Sequence, residues 1–154
     1  MADPDRLSWG SSLAIGAACG VAGTAVMTAF QKLVEMPLTG RGDSYAPADF
    51  AERVLPIKAS SGAQRSALNY ATHFFLGTGW GAAYAAASRA GLRGQAAVGA
   101  TFVGMYTGDV LINTALGLYE PLEWSPQDAV IDVVEKLVQV EATAAAYEAL
   151  RARA

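Results

Sequence analysis

The sequence predicts an all-α protein, a four-helix up-down transmembrane bundle with a short interfacial helix in the first loop. Three observations lead there. Three long stretches carry almost no charge, and each reaches the roughly 20 residues that cross a hydrocarbon core. A fourth, amphipathic helix follows them, opened by its own cap. No stretch sustains the period-two alternation of a strand, and the Gly/Ala runs are poor strand material.

A length of 154 residues argues for a single integral membrane domain over 1–154. Of these residues 53% are hydrophobic and 16% charged, against a usual charged share of about 25%. The mean hydropathy of +0.25 is modest because glycine and alanine dilute it, and small residues are what packed membrane helices use. A formal net charge of −3 offers no basic footprint, which excludes nucleic acid as an expected partner. Cys19 is the single cysteine, so no intramolecular disulfide forms. Its setting, Gly16-Ala17-Ala18-Cys19, shares letters with a lipoprotein cleavage site. Gly16 stands where leucine is expected, however, and Asp3 and Asp5 make a poor basic leader. A buried helix thiol is the expected role.

The first span covers about 10–35 and takes in most of a run from Leu7 to Gln31 that carries no charge. Trp9 stands near its start, as interfacial aromatics do. Gly16 and Gly20 make a GxxxG spacing and Gly23 extends it, so another helix can approach closely. Thr24, Thr28, Gln31 and Glu35 step by four, three and four along one face. Pro37 is expected to end the helix. Residues 38–64 read as a loop punctuated by glycine and proline, with Pro47–Leu55 as the short interfacial helix. Arg41-Gly42-Asp43 matches an adhesion tripeptide by letter and reads as a glycine turn.

The second span, 66–88, sets Asn69 and His73 one turn apart, with Gly77 and Gly81 following. A basic hairpin, Arg89 to Arg93, leads into the third span at 94–118. Only Asp109 interrupts it; Asn113 lies one turn on, and Gly104 and Gly108 repeat the GxxxG spacing. After the acidic, aromatic link Tyr119–Trp124 comes the fourth helix, 127–149, with Ser125 as cap and Pro126 in its first turn. Asp128, Asp132, Glu135 and Gln139 share one face of it. Val130, Val133, Val134, Leu137 and Val140 lie opposite.

In an up-down bundle these polar groups all fall at one end, beside the 38–64 loop and the 119–125 link. Asp132 and His73 would each sit about 10 Å inside that edge. The expected shape is a cup with a small-residue floor and an acidic mouth. Five carboxylates, Glu35, Asp109, Asp128, Asp132 and Glu135, face two lysines. Lys136 is one turn from Asp132 and Lys32 is close to Glu35. An unpartnered charge in a membrane helix costs at least about 2.5 kcal/mol, so the remaining acids must be hydrated, protonated or bound to a cation.

Glu35, His73, Asp109, Asp132 and Glu135 are therefore the candidate binding or proton-exchange groups. Gln31, Lys32, Asn69, Asn113, Asp128, Lys136 and Gln139 support them. Gly16, Gly20, Gly77, Gly81, Gly104 and Gly108 are assigned to helix packing. Each group also has a plainer role: His73 as a hydrogen-bonded interior histidine, Asp109 with Asn113 as a helix joint, the Asp128–Gln139 stripe as a solvated face.

A metal held by His73 and the acids is chemically possible, but no HExxH or ExxH spacing supports one and none is assigned. One histidine, no nucleophile elbow and no Gly-rich phosphate loop argue against an enzyme, and neither catalytic residues nor a cofactor are predicted. The expected function is handling of protons or small cations in transport or pH tolerance. The alternative is a non-catalytic membrane scaffold or assembly subunit packing through its GxxxG faces. Partners are the lipid bilayer, protons or small cations, and a second copy or a membrane partner protein.

With GAACGVAGTAVMTAFQKLVEMPL, NYATHFFLGTGWGAAYAAAS, GDVLINTALGL and the acidic last helix, the chain resembles the YagU-like bacterial inner-membrane proteins. Lys32, Glu35, Pro37 and His73 match that pattern. Asp109 and Asp132 stand where histidines are looked for, so no metal is carried over. The resemblance implies a multi-pass protein of the bacterial inner membrane with no established activity and an association with acid tolerance. Arg6, Arg89, Arg93, Arg151 and Arg153 lie on one side, against Arg41, Arg53, Lys58 and Arg65 on the other. The densely basic hairpin and tail favour both termini in the cytoplasm.

Overall fold

A computed structural model describes residues 8–152; Asp3, Asp5, Arg6, Leu7 and Arg153 lie outside the described residues. Helix α1, Trp9–Phe30, is capped by Ser8, whose Oγ accepts from Ser11 N–H at 3.0 Å. Pro37 does not end it. A π-helical turn, Gln31–Glu35, carries the helix into α2, Met36–Thr39. Proline lacks the amide hydrogen and its ring crowds the carbonyl four residues back; the wider turn just upstream makes room for both. The helix stops at Gly40, whose φ of +72° suits glycine.

Helix α3, Ala46–Val54, lies in the first loop, and its first turn is capped from outside. Asn69 on α4 (Gly62–Arg89) accepts from Ala48 N–H at 3.1 Å and donates to the Ser44 carbonyl at 3.0 Å. Helix α5, Gln95–Ala115, and helix α6, Pro126–Arg151, complete the fold. Ser125 caps α6 by accepting from Asp128 N–H at 3.1 Å. The end of the loop is fastened by Glu52, which accepts from Ala59 N–H at 2.9 Å and pairs with Lys58 at 3.2 Å. These bonds hold the Glu52 carboxyl below its ordinary value of 4.5. They are complete above that pH and are lost as pH falls through the lower folded value. Amide exchange at Ala59, corrected for its intrinsic rate, should accelerate in that acid window and should be fast at neutral pH in Glu52→Gln.

Helices α1 and α4 run antiparallel in close approach. Added Cβ atoms would collide across the seam: at Gly16, for example, one would sit 2.5 Å from both the Gly81 carbonyl oxygen and Ala85 Cβ. Gly23 brings α1 against Gln139 and Thr143 of α6. Helix α5 packs on α4 and α6 as α1 does, so α1 and α5 occupy opposite corners of a four-helix layout. Gly104 and Gly108 do not pack: a Cβ at either meets nothing within 4 Å. Spacing alone could not separate them from the α1 and α4 glycines, because GxxxG marks a bare stripe without saying what faces it. The floor also differs from the small-residue expectation. It holds Tyr84 and Tyr147, fully buried and edge-to-face at 5.6 Å, with Cys19, Trp80, Ala97, Val98 and Val140 around them.

The polarity of the bundle is inverted in part, around a core that is otherwise mostly apolar. Val103, Leu111 and Val130 are 62%, 63% and 61% exposed, whereas Thr24, Asn113 and Gln139 are 0%, 5% and 4% exposed. A water-soluble bundle places these classes the other way round. One continuous helix, Trp9–Thr39, is long and apolar enough to cross a membrane, and among the described residues it is the one that qualifies. Helices α4, α5 and α6 have 28, 21 and 26 residues and fall short on apolarity, not length.

Candidate functional site

Four helices and the first loop enclose a cavity of about 330 Å³ at the end of the bundle that carries that loop. Helix α6 supplies its charged wall. Successive turns place Asp132, Glu135, Lys136 and Gln139 on the inward face. From α5 come Asp109 and Asn113, from α4 Asn69 and His73, from the end of α1 Thr28, and from the π-turn Gln31 and Lys32. Trp80 closes the bottom, next to the buried tyrosines.

Lys136 is the hub. Its ammonium bonds Asp132 one turn back and stands 3.5 Å from Asp109 Oδ2, above the Tyr106 ring at 5.5 Å. Asn113 steadies Asp109, donating to Oδ1 at 3.0 Å and to the Asp109 carbonyl at 2.9 Å. Asp109 Oδ2, Asp132 Oδ2 and Glu135 Oε1 are buried without a hydrogen-bond partner. Asp109 and Asp132 thus share one lysine while Glu135 has no ion pair among the described residues, which leaves the cavity two negative charges in excess when all are ionised. Tyr119, on the link beyond α5, registers this field. Burial, and then the neighbouring Asp109, Asp132 and Glu135, push its phenol above the ordinary value of 10.0.

His73 Nε2 is 3.3 Å from Thr28 Oγ1 across the α1–α4 seam, and Thr28 donates onward to the Thr24 carbonyl at 2.8 Å. Gln139 Nε2 donates to Thr24 Oγ1 at 2.9 Å. The polar face of α1 that begins at Thr24 thus meets the polar face of α6 inside the bundle.

Two expected members are elsewhere. Glu35 is buried outside the cavity, accepting from Thr39 Oγ1 at 2.7 Å with Arg41 Nη1 at 3.6 Å. Asp128 is a cap residue near the surface, 3.3 Å from Arg41 Nε. The π-turn rotates Glu35 off the face it would share with Thr28 in a regular helix, which is why stepping by four misplaced it. Lys32 does not relieve Glu35 either; it pairs with Asp43. Arg41 is the residue that does, and no helical spacing in the sequence points a residue of the Arg41-Gly42-Asp43 turn at Glu35. Its two charges strap the first loop across the mouth, Arg41 to Asp128 and Glu35, Asp43 to Lys32. Asn69 lines the cavity while serving α3, so its role is structural as well.

Among the described residues no three acidic, histidine or cysteine side chains come close enough to share one metal ion. The arrangement can hold a positive charge or a proton among Asp109, Asp132 and Glu135, with Lys136 as an internal competitor for the same oxygens. The chain matches no family model, no curated protein and no solved structure.

Proposed function

We propose that this chain is a four-helix transmembrane protein of the bacterial inner membrane, akin to the YagU-like proteins, whose acidic cavity exchanges protons or small cations. The observation that carries it is the inverted polarity, with exposed valine and leucine outside and carboxylates inside around a cavity. Lipid is the solvent that such an exterior suits, and ionisable groups facing a bundle interior mark ion pathways. The basic groups Arg89, Arg93 and Arg151 gather at the opposite end, which favours cytoplasmic termini. Asp109, Asp132 and Glu135 are the exchange groups, Lys136 sets their charge, and His73 with Thr28 borders them.

The scaffold reading draws less support. Gly16, Gly20, Gly77 and Gly81 are spent inside the bundle, so of the glycines assigned to packing only Gly104 and Gly108 remain open to a partner. In liposomes carrying a pH-sensitive dye, Asp109→Asn and Asp132→Asn should each lower proton or cation flux at least about tenfold while the protein stays folded. Wild-type flux in both variants would rule out the cavity as the exchange site.

A further inference from the structure

The cavity wall carries an excess of negative charge and several acceptors that the protein leaves unused. Lys136 is committed to Asp132 and Asp109, and Lys32 to Asp43. Asn113 and Gln139 are each more than nine-tenths buried and line the cavity. Both give their amide hydrogens to the protein, to Asp109 and to Thr24. Their amide oxygens take no hydrogen bond among the described residues. With the carboxylates of Asp109, Asp132 and Glu135, the wall calls for a ligand that donates several hydrogen bonds and carries positive charge.

The rest of the lining is apolar: Trp80, Leu76, Met105 and Ile112. About 330 Å³ lies within the roughly 300–1,000 Å³ of small-molecule pockets and exceeds the share of about 30 Å³ that one water occupies. An inorganic cation would leave that apolar wall facing trapped water, and the carboxylates do not converge on one point for it.

We propose that the cavity binds a small organic ammonium, a primary amine with an apolar body, its N–H groups on the carboxylate and amide oxygens and its body against the tryptophan. This rests on the ion-handling reading above and narrows it to a ligand class. An anion meets the excess negative charge of Asp109, Asp132 and Glu135. A neutral alcohol brings a single donor and no charge to a wall with at least five acceptor groups.

The test is equilibrium dialysis of the full chain in nanodiscs, with empty nanodiscs as blank. The probes are 2-phenylethylamine, 2-phenylethanol and potassium ion. The amine should bind about tenfold or more tightly than either of the others, a margin that one charge-assisted hydrogen-bond set supplies. Glu135→Gln should lower amine binding and leave the weak alcohol binding unchanged; a variant that fails to fold does not affect the three-probe comparison on the wild-type chain. Equal binding of amine and alcohol, potassium binding as tight as the amine, or no amine binding each overturns the proposal. If proton or potassium flux persists in any of those cases, the ion-exchange reading stands without it.

Discussion

Gly20→Ala should unfold the bundle, and Gly104→Ala should not. At Gly20 a single added methyl would run into the Gly77 carbonyl oxygen and lie 2.8 Å from Gly81 N, and both are backbone. Backbone on two antiparallel helices cannot give way without separating α1 from α4, the broadest interface in the molecule. Overpacking of this kind costs about 1–3 kcal/mol when side chains can shift, and more where they cannot. A Cβ at Gly104 enters open space, and replacing a helical glycine by alanine there should gain about 0.5–1 kcal/mol. Thermal unfolding in detergent separates the two directly. A Gly20→Ala protein as stable as the wild type would mean that the α1–α4 seam is looser than described. Gly104→Leu should likewise fold, because Gly104 is exposed and an added side chain meets no neighbour.

Loss of Lys136 should be the most damaging change in the site. Its side chain is 15% exposed and is held between Asp132 and Asp109, whose own side chains are 21% and 25% exposed. Taking away one partner of a buried pair leaves the other charges uncompensated and costs about 3–5 kcal/mol. Lys136→Met is therefore expected to lower stability by about 3 kcal/mol. Lys136→Met combined with Asp132→Asn should recover much of that loss, since the second change removes a charge the first one orphaned. A double-mutant cycle read by denaturant unfolding in micelles measures the coupling. Simple additivity of the two changes would show that Lys136 does not pair with Asp132 in the folded protein.

Both expectations depend on which residues face each other, and much of that was readable in the chain. The helices and the cap of the last one follow from local signals such as Ser125-Pro126. The meeting of His73, Asp109, Asp132, Glu135 and Lys136 at one end follows from antiparallel order and helical rise alone. Positions that depend on a local departure from ideal geometry were not readable. The π-turn before Pro37 moves Glu35 away from the cavity and hands it to Arg41, because one extra residue in a turn shifts every later side chain around the axis.

What the sequence determined by itself is the all-helical order and the alignment of its ionisable residues along the helices. Periodicity and capping are properties of neighbours within a few residues. Partnership is not. The tertiary structure alone decided that Gly20 touches backbone while Gly104 touches nothing, that Lys136 serves two aspartates on different helices, and that Asn113 and Gln139 turn inward while Val103 and Val130 turn outward. Those outcomes depend on how far apart the helix axes lie and how each helix is rotated, quantities set by packing among segments distant in the chain.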